Sequence, residues 1–122
     1  MIVLAALLLQ AAAPPPMPPT DWTALPELPV AAPSGPTSSA FVRREVAKNR
    51  CRAQVADGLV EIESPVAVLV DERGDVQRVV PHAIDCPTVE QYTAGYVSSL
   101  ARRAAGLRPG WHKFTMTYRW QG

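Results

Sequence analysis

Two cysteines and two histidines are the residues of this sequence best suited to chemistry. Cys51 and Cys86 are its only cysteines, and His82 and His112 are its only histidines. We expect the two cysteines to form a disulfide, because an even pair in an exported chain usually oxidises. The alternative is a pair of buried free thiols, which becomes the better interpretation if the chain is cytosolic.

The two histidines could join the cysteines in a Cys₂His₂ zinc site. However, the four positions match no paired-ligand spacing, and a disulfide would consume both thiols. A thiol enzyme built on Cys86 and His82 is another alternative, because a helix start after the cysteine can lower a thiol pKa. No residue is evident that would orient the histidine in such a site.

Three carboxylates, Asp71, Glu72 and Asp75, lie close together along the chain. They surround a glycine in a turn sequence, so they are more simply solvated turn residues than an acid–base pair. We therefore expect no catalytic residue, no metal site and no cofactor, and we predict that the protein is not an enzyme.

The chain divides into a proline-rich head and a globular body. Nine of its 13 prolines lie at or before Pro36. The uncharged residues 1–13 are typical of a signal-peptide core with a small-residue cleavage site, and they are too short to span a membrane as a helix. Residues 14–38 are predicted to form an extended linker, because clustered prolines remove backbone donors. Residues 39–122 then form one domain.

Within that domain, residues 39–49 have helical spacing behind a serine suited to an N-cap. The sequence VAVLVDERGDVQRVV predicts an antiparallel hairpin, with alternating valines around a glycine-containing turn. A long amphipathic helix follows from about Thr88 to Gly106, and the last strand alternates apolar and polar residues. The predicted fold is α+β, a three-stranded antiparallel sheet with two helices in the order α-β-β-α-β.

The hairpin, helix and final strand together resemble the C-terminal domain of the TonB energy-transducer family. The residues that carry this resemblance are Val66, Val68, Val70, Asp71, Gly74 and Val76, followed by the helix and an aromatic last strand. The match covers residues 39–120, and proline-rich sequence precedes it as in the family. The chain resembles a short form without the transmembrane anchor. A displaced start codon would instead make it a full energy transducer.

The resemblance implies that the last strand captures an extended peptide, since that strand pairs with a segment of an outer-membrane receptor in the TonB family. An exposed strand edge offers unpaired amides and carbonyls to such a segment. We therefore predict a protein or peptide partner at the polar side of this strand, which comprises Trp111, Lys113, Thr115, Thr117 and Arg119. An ordinary solvated face is the simpler alternative for these five residues.

The expected function is that of an exported, periplasmic binding module, and a cytoplasmic location is the less favoured alternative. A second hypothesis is an assembly protein of the cell envelope that uses the same edge to form a homodimer. The chain has 122 residues, 48% of them hydrophobic, with a net charge of +1. This balance gives no reason to expect nucleic acid as a partner.

Overall fold

The computed structural model of the protein describes residues 17–30, 37–48 and 51–122. Within these ranges the elements follow one another in the order α1 (Ala40–Ala47), β1 (Gln54–Ala56), β2 (Leu59–Val70), β3 (Val76–Pro81), α2 (Pro87–Arg103) and β4 (Gly110–Gln121). The α+β class is confirmed. The signal-peptide-like residues 1–13 lie outside the described residues. No helix in the described ranges is long and apolar enough to span a membrane.

The sheet is antiparallel and has four strands rather than the predicted three. The additional strand is β1, whose three residues pair with the start of β2 through a tight turn at Asp57 and Gly58. Three exposed residues carry no periodic pattern, and for this reason the sequence did not predict β1. The element order is therefore α-β-β-β-α-β.

Strand β2 is the centre of the sheet. One side of it pairs with β4 along its whole length, from Leu59 opposite Gln121 to Val70 opposite Gly110. The other side is shared by β1 and β3, each pairing with one half of β2. In consequence β4 lies at the border of the sheet, and one of its edges faces away from β2.

The predicted hairpin is confirmed as β2 and β3. In its turn the amide of Gly74 donates to the carbonyl of Asp71 (3.0 Å), and Gly74 has a positive φ of 84° that favours glycine. The Asp71 carboxylate accepts the amides of Arg73 and Asp75. These hydrogen bonds, that of Asp75 foremost, lower the pKa of Asp71 because they stabilise its charged form.

Helix α2 packs on one face of the sheet and closes the core. That face presents alternate residues of β2 and β4, and the helix contributes Val89, Val97 and Ala101. The hydroxyl of Tyr118 on β4 lies 2.8 Å from that of Thr93 on α2, with both residues fully buried. Burial raises the pKa of Tyr118, although the Thr93 hydrogen bond acts in the opposite direction.

A disulfide joins Cys51 to Cys86, as predicted, with 4.8 Å between the Cα atoms. It connects the stretch before β1 to the N-cap position of α2, where Cys86 is fully buried. The carboxylate of Glu90 accepts the Cys86 amide at 3.0 Å and so satisfies one of the unpaired donors of the helix start. The disulfide therefore ties the beginning of α2 to the stretch before β1.

Helix α1 begins after Ser39, whose hydroxyl accepts the amide of Val42. The predicted residues 39–49 are thus a helix over Ala40–Ala47. Phe41 stacks on Tyr92 of α2, with 4.9 Å between the ring centroids. This contact places α1 beside α2 on the core side of the sheet.

Candidate functional site

The five residues predicted to bind a partner share one geometry on β4. Successive residues of a strand point their side chains to opposite faces and their backbone groups to opposite sides. The even-numbered residues of β4 face α2 and the core, whereas the predicted set lies on the second face. The backbone amides and carbonyls of the same set point away from β2, towards the outer edge of the sheet. The five residues are Trp111, Lys113, Thr115, Thr117 and Arg119.

Residues 17–30 cross the second face of the sheet and reach this border, and we call them the strap. Its extended part runs parallel to β4, with Glu27 opposite Lys113. The Lys113 amide donates to the Pro26 carbonyl (2.9 Å), and the Leu28 amide donates to the Lys113 carbonyl (2.8 Å). The outer edge of β4 thus holds an extended segment by backbone hydrogen bonds.

A second contact of the same kind lies further along the edge. Thr37 pairs in parallel with Tyr118: its amide donates to the Thr117 carbonyl (3.0 Å), and its carbonyl accepts the Arg119 amide (2.8 Å). The linker predicted for residues 14–38 therefore supplies two short strand-like contacts. Among its described residues, Leu28 and Val30 pack onto the core of the domain.

Leu28 anchors the strap. Its side chain is only 4% exposed and belongs to the hydrophobic core, next to the edge of the sheet. Val30 packs against the same core. We call the apolar space that Leu28 fills the Leu28 socket. The strap is thus held both by backbone hydrogen bonds to Lys113 and by the Leu28 side chain in the core.

The beginning of the strap covers part of the second face of the sheet. The ring of Trp22 packs edge-on against His82, with 5.0 Å between centroids. The Lys113 ammonium group donates to the Thr23 carbonyl (3.2 Å) and lies 3.9 Å from a carboxylate oxygen of Glu27. Lys113 is thus held by the strap both at its backbone and at its side chain.

Thr115 lies between the two occupied stretches of the edge. Its side chain is exposed. Its amide and carbonyl point to the outer edge, because Lys113 and Thr117 on either side of it bond outward. Among the described residues, no backbone group pairs with Thr115 on this side. The amide and carbonyl of Thr115 thus point outward between the two stretches that the described residues occupy.

The remaining predicted residues have different surroundings. Arg119 forms an ion pair with Glu61, the residue opposite it on β2, with 2.6 Å between nitrogen and oxygen. Trp111 is half-buried opposite Leu69. The Arg119 side chain is thus engaged within the sheet, and its outward-pointing amide is engaged by Thr37.

The cysteines and histidines do not form one cluster. Both cysteines form the disulfide, so neither offers a free thiol to a zinc ion or to a thiol-enzyme mechanism. His82 contacts the carbonyl of Ala83 and the ring of Trp22, whereas His112 is buried near the carbonyl of Gly110. The described residues contain no cluster of three or more metal-ligating side chains.

The strap is the part of the site that sequence reasoning missed. The clustered prolines of this stretch predict a linker, because proline residues lack the amide that a sheet ladder needs. The available signal was Leu28, an apolar residue with a free amide between two prolines. Comparison of the chain with protein-family models, with curated proteins and with solved structures gives no match. The function must therefore be inferred from the geometry of this edge.

Proposed function

We propose that the protein is a binding module that captures an extended peptide segment by strand addition to the outer edge of β4. The observation that carries this proposal is the pairing of Lys113 with the strap, in which the backbone amide and carbonyl of Lys113 hold an extended segment in parallel. An edge that accepts one such segment has the geometry to accept another of suitable sequence.

The size of the edge fits a short peptide. From Lys113 to Arg119 the strand extends about 20 Å at roughly 3.4 Å per residue. A parallel segment of about six or seven residues would cover this length and would pair with Thr115 on the way. Each hydrogen bond contributes about 0.5–1.5 kcal/mol net, so side-chain contacts must supply much of the affinity.

The TonB-like identity and the periplasmic location belong to the same proposal. The order of hairpin, helix and last strand supports a TonB-like binding mode, in which the final strand receives the partner. The Cys51–Cys86 disulfide is compatible with an oxidising compartment. The partner would then be a protein segment of the cell envelope, such as part of an outer-membrane receptor.

Amide hydrogen exchange during peptide titration tests the proposal. We expect an extended peptide that binds to slow the exchange of the Thr115 amide, because this donor points outward, away from β2. The amides of His112 and Tyr118 serve as controls, since they point towards β2. If binding peptides are found and all of them leave the Thr115 amide unprotected, strand addition at β4 is wrong.

Self-association has to be separated from capture in this experiment. Protection of the Thr115 amide that grows with protein concentration, with no peptide present, would contradict the capture proposal. It would support the homodimer predicted as the alternative from sequence. Analytical ultracentrifugation over the same concentration range distinguishes the two outcomes.

A further inference from the structure

We infer that residues 25–30, Leu-Pro-Glu-Leu-Pro-Val, are a built-in ligand of the β4 edge, and that the segment captured in trans has the same chemistry. That segment is a parallel strand flanked by prolines, with an acidic residue beside Lys113 and a leucine-sized side chain in the Leu28 socket. This inference rests on the proposed function, since it names the class of partner for the same edge.

The backbone contacts explain why prolines suit this ligand. The strap needs only the Pro26 carbonyl and the Leu28 amide to pair with Lys113, so neither proline removes a hydrogen bond to β4. Prolines also limit further pairing on the side of the strap that faces away from β4. A proline-flanked segment therefore completes the sheet without creating a new edge that would bind another chain.

The Leu28 socket supplies the apolar part of the recognition. Leu28 is 4% exposed, whereas its neighbour Glu27 is an exposed residue. Because successive strand residues point to opposite faces, a ligand in this register places one side chain in the core and the next over the second face. A ligand in this register thus needs an apolar residue at the Leu28 position, whereas the Glu27 position is exposed.

Lys113 supplies the charge selectivity. Its ammonium group lies 3.9 Å from the Glu27 carboxylate, and the lysine side chain is only 25% exposed. An ion pair with an exposed carboxylate adds little affinity, but it fixes register and disfavours a cation at the same place. A basic residue in the Glu27 position would bring two like charges together.

Because the strap occupies the site, a partner must displace it. The strap is part of the same chain, so its effective concentration at the edge is high and a free peptide competes poorly. Weakening the strap should therefore increase the affinity for a peptide supplied in trans. A segment that only protected the sheet edge would give no such competition.

The test uses the full chain and a peptide with the sequence of residues 20–30. The variants Leu28→Asp and Glu27→Lys weaken the strap at the socket and at the surface. We expect the Lys113 amide to exchange about tenfold faster in both variants, because its acceptor on Pro26 is released. Leu25→Ala is the matched control, since Leu25 lies in the same strap but outside the buried core.

Addition of the peptide should restore protection of the Lys113 amide in both variants. Peptides with Lys in the Glu27 position or Asp in the Leu28 position should bind at least tenfold more weakly. If Leu28→Asp does not fold, Glu27→Lys still provides the test, because a substitution at the exposed Glu27 leaves the core unchanged.

Two results would overturn the inference. One is unchanged exchange of the Lys113 amide in the Glu27→Lys variant, and the other is equal binding of the native and altered peptides. If unrelated extended peptides still protect the Thr115 amide, the proposed function stands while this ligand class is wrong. If no peptide protects any outward amide of β4 in either variant, both proposals fail.

Discussion

The carbonyl of Lys113 accepts the amide of Leu28 at 2.8 Å, and the Leu28 side chain is buried in the core beside the same strand. One residue of the strap thus joins the sheet edge by its backbone and the hydrophobic core by its side chain. Because both contacts come from the proline-rich segment, this segment is part of the folded domain. It also shows the kind of extended chain that the β4 edge accepts.

The Cys51–Cys86 disulfide should contribute substantially to stability. The cysteines are 35 residues apart, and closure of such a loop contributes about 3–4 kcal/mol in the chain-entropy model. We expect the double variant Cys51→Ser/Cys86→Ser to lose roughly this much free energy of unfolding in urea titration. The reduced wild-type protein should lose a similar free energy of unfolding. Equal stability of the oxidised and reduced proteins would contradict the prediction.

The buried pair of Tyr118 and Thr93 should behave as one unit. Tyr118→Phe leaves the Thr93 hydroxyl without this partner, and Thr93→Val does the same to the Tyr118 hydroxyl. Each single change should cost about 1–3 kcal/mol, because a buried polar group loses its hydrogen bond. The double variant should cost clearly less than the sum, which urea titration of all four proteins measures. Additive costs would mean that the two hydroxyls are not coupled.

Asp71 should make the stability depend on pH in the acid range. Its pKa in the folded protein lies below the usual 3.8, because the amides of Asp75 and Arg73 stabilise the carboxylate. The resulting stabilisation is fully present above the unfolded pKa and is lost as pH falls through the lower, folded pKa. We expect Asp71→Asn to flatten the decrease in unfolding free energy below about pH 4. Urea titration across the acid range measures this decrease, and an Asp71→Asn variant with the wild-type slope would contradict the prediction.

The elements with a clear periodic pattern were predicted well from sequence. The β2–β3 hairpin has alternating valines and a turn glycine, and β4 alternates between core and polar residues over its length. These patterns exist because each strand has one face against α2. The Cys51–Cys86 pairing was also predictable, since the chain has only two cysteines.

Two features that the sequence did not predict, β1 and the strap, depend on contacts between residues far apart in the chain. Strand β1 exists because β2 is long enough to pair with two strands on one side, which no property of three exposed residues indicates. The strap depends on the Leu28 socket, and this socket is formed by elements far along the chain. Sequence reasoning therefore predicted β4 as the last strand but not the segment that lies on its outer edge.

The strongest test of capture at β4 is the substitution of Thr115 by proline. The Thr115 amide points outward, so Thr115→Pro should preserve the ladder with β2 while removing the donor that an added strand needs. Thr115→Val is the matched control, because it keeps the amide and a similar side-chain shape. Both variants should retain protection of the Lys113 amide, since the strap does not use Thr115.

The deciding measurement uses isothermal titration calorimetry to compare the affinities of these two variants for a peptide that protects the Thr115 amide of the wild type. The account predicts at least about tenfold weaker binding to Thr115→Pro, because the incoming strand loses a hydrogen bond and meets the proline ring. Binding to Thr115→Val should be near the wild-type value. Equal affinity of the peptide for the folded proline variant and the wild type would contradict strand addition at β4.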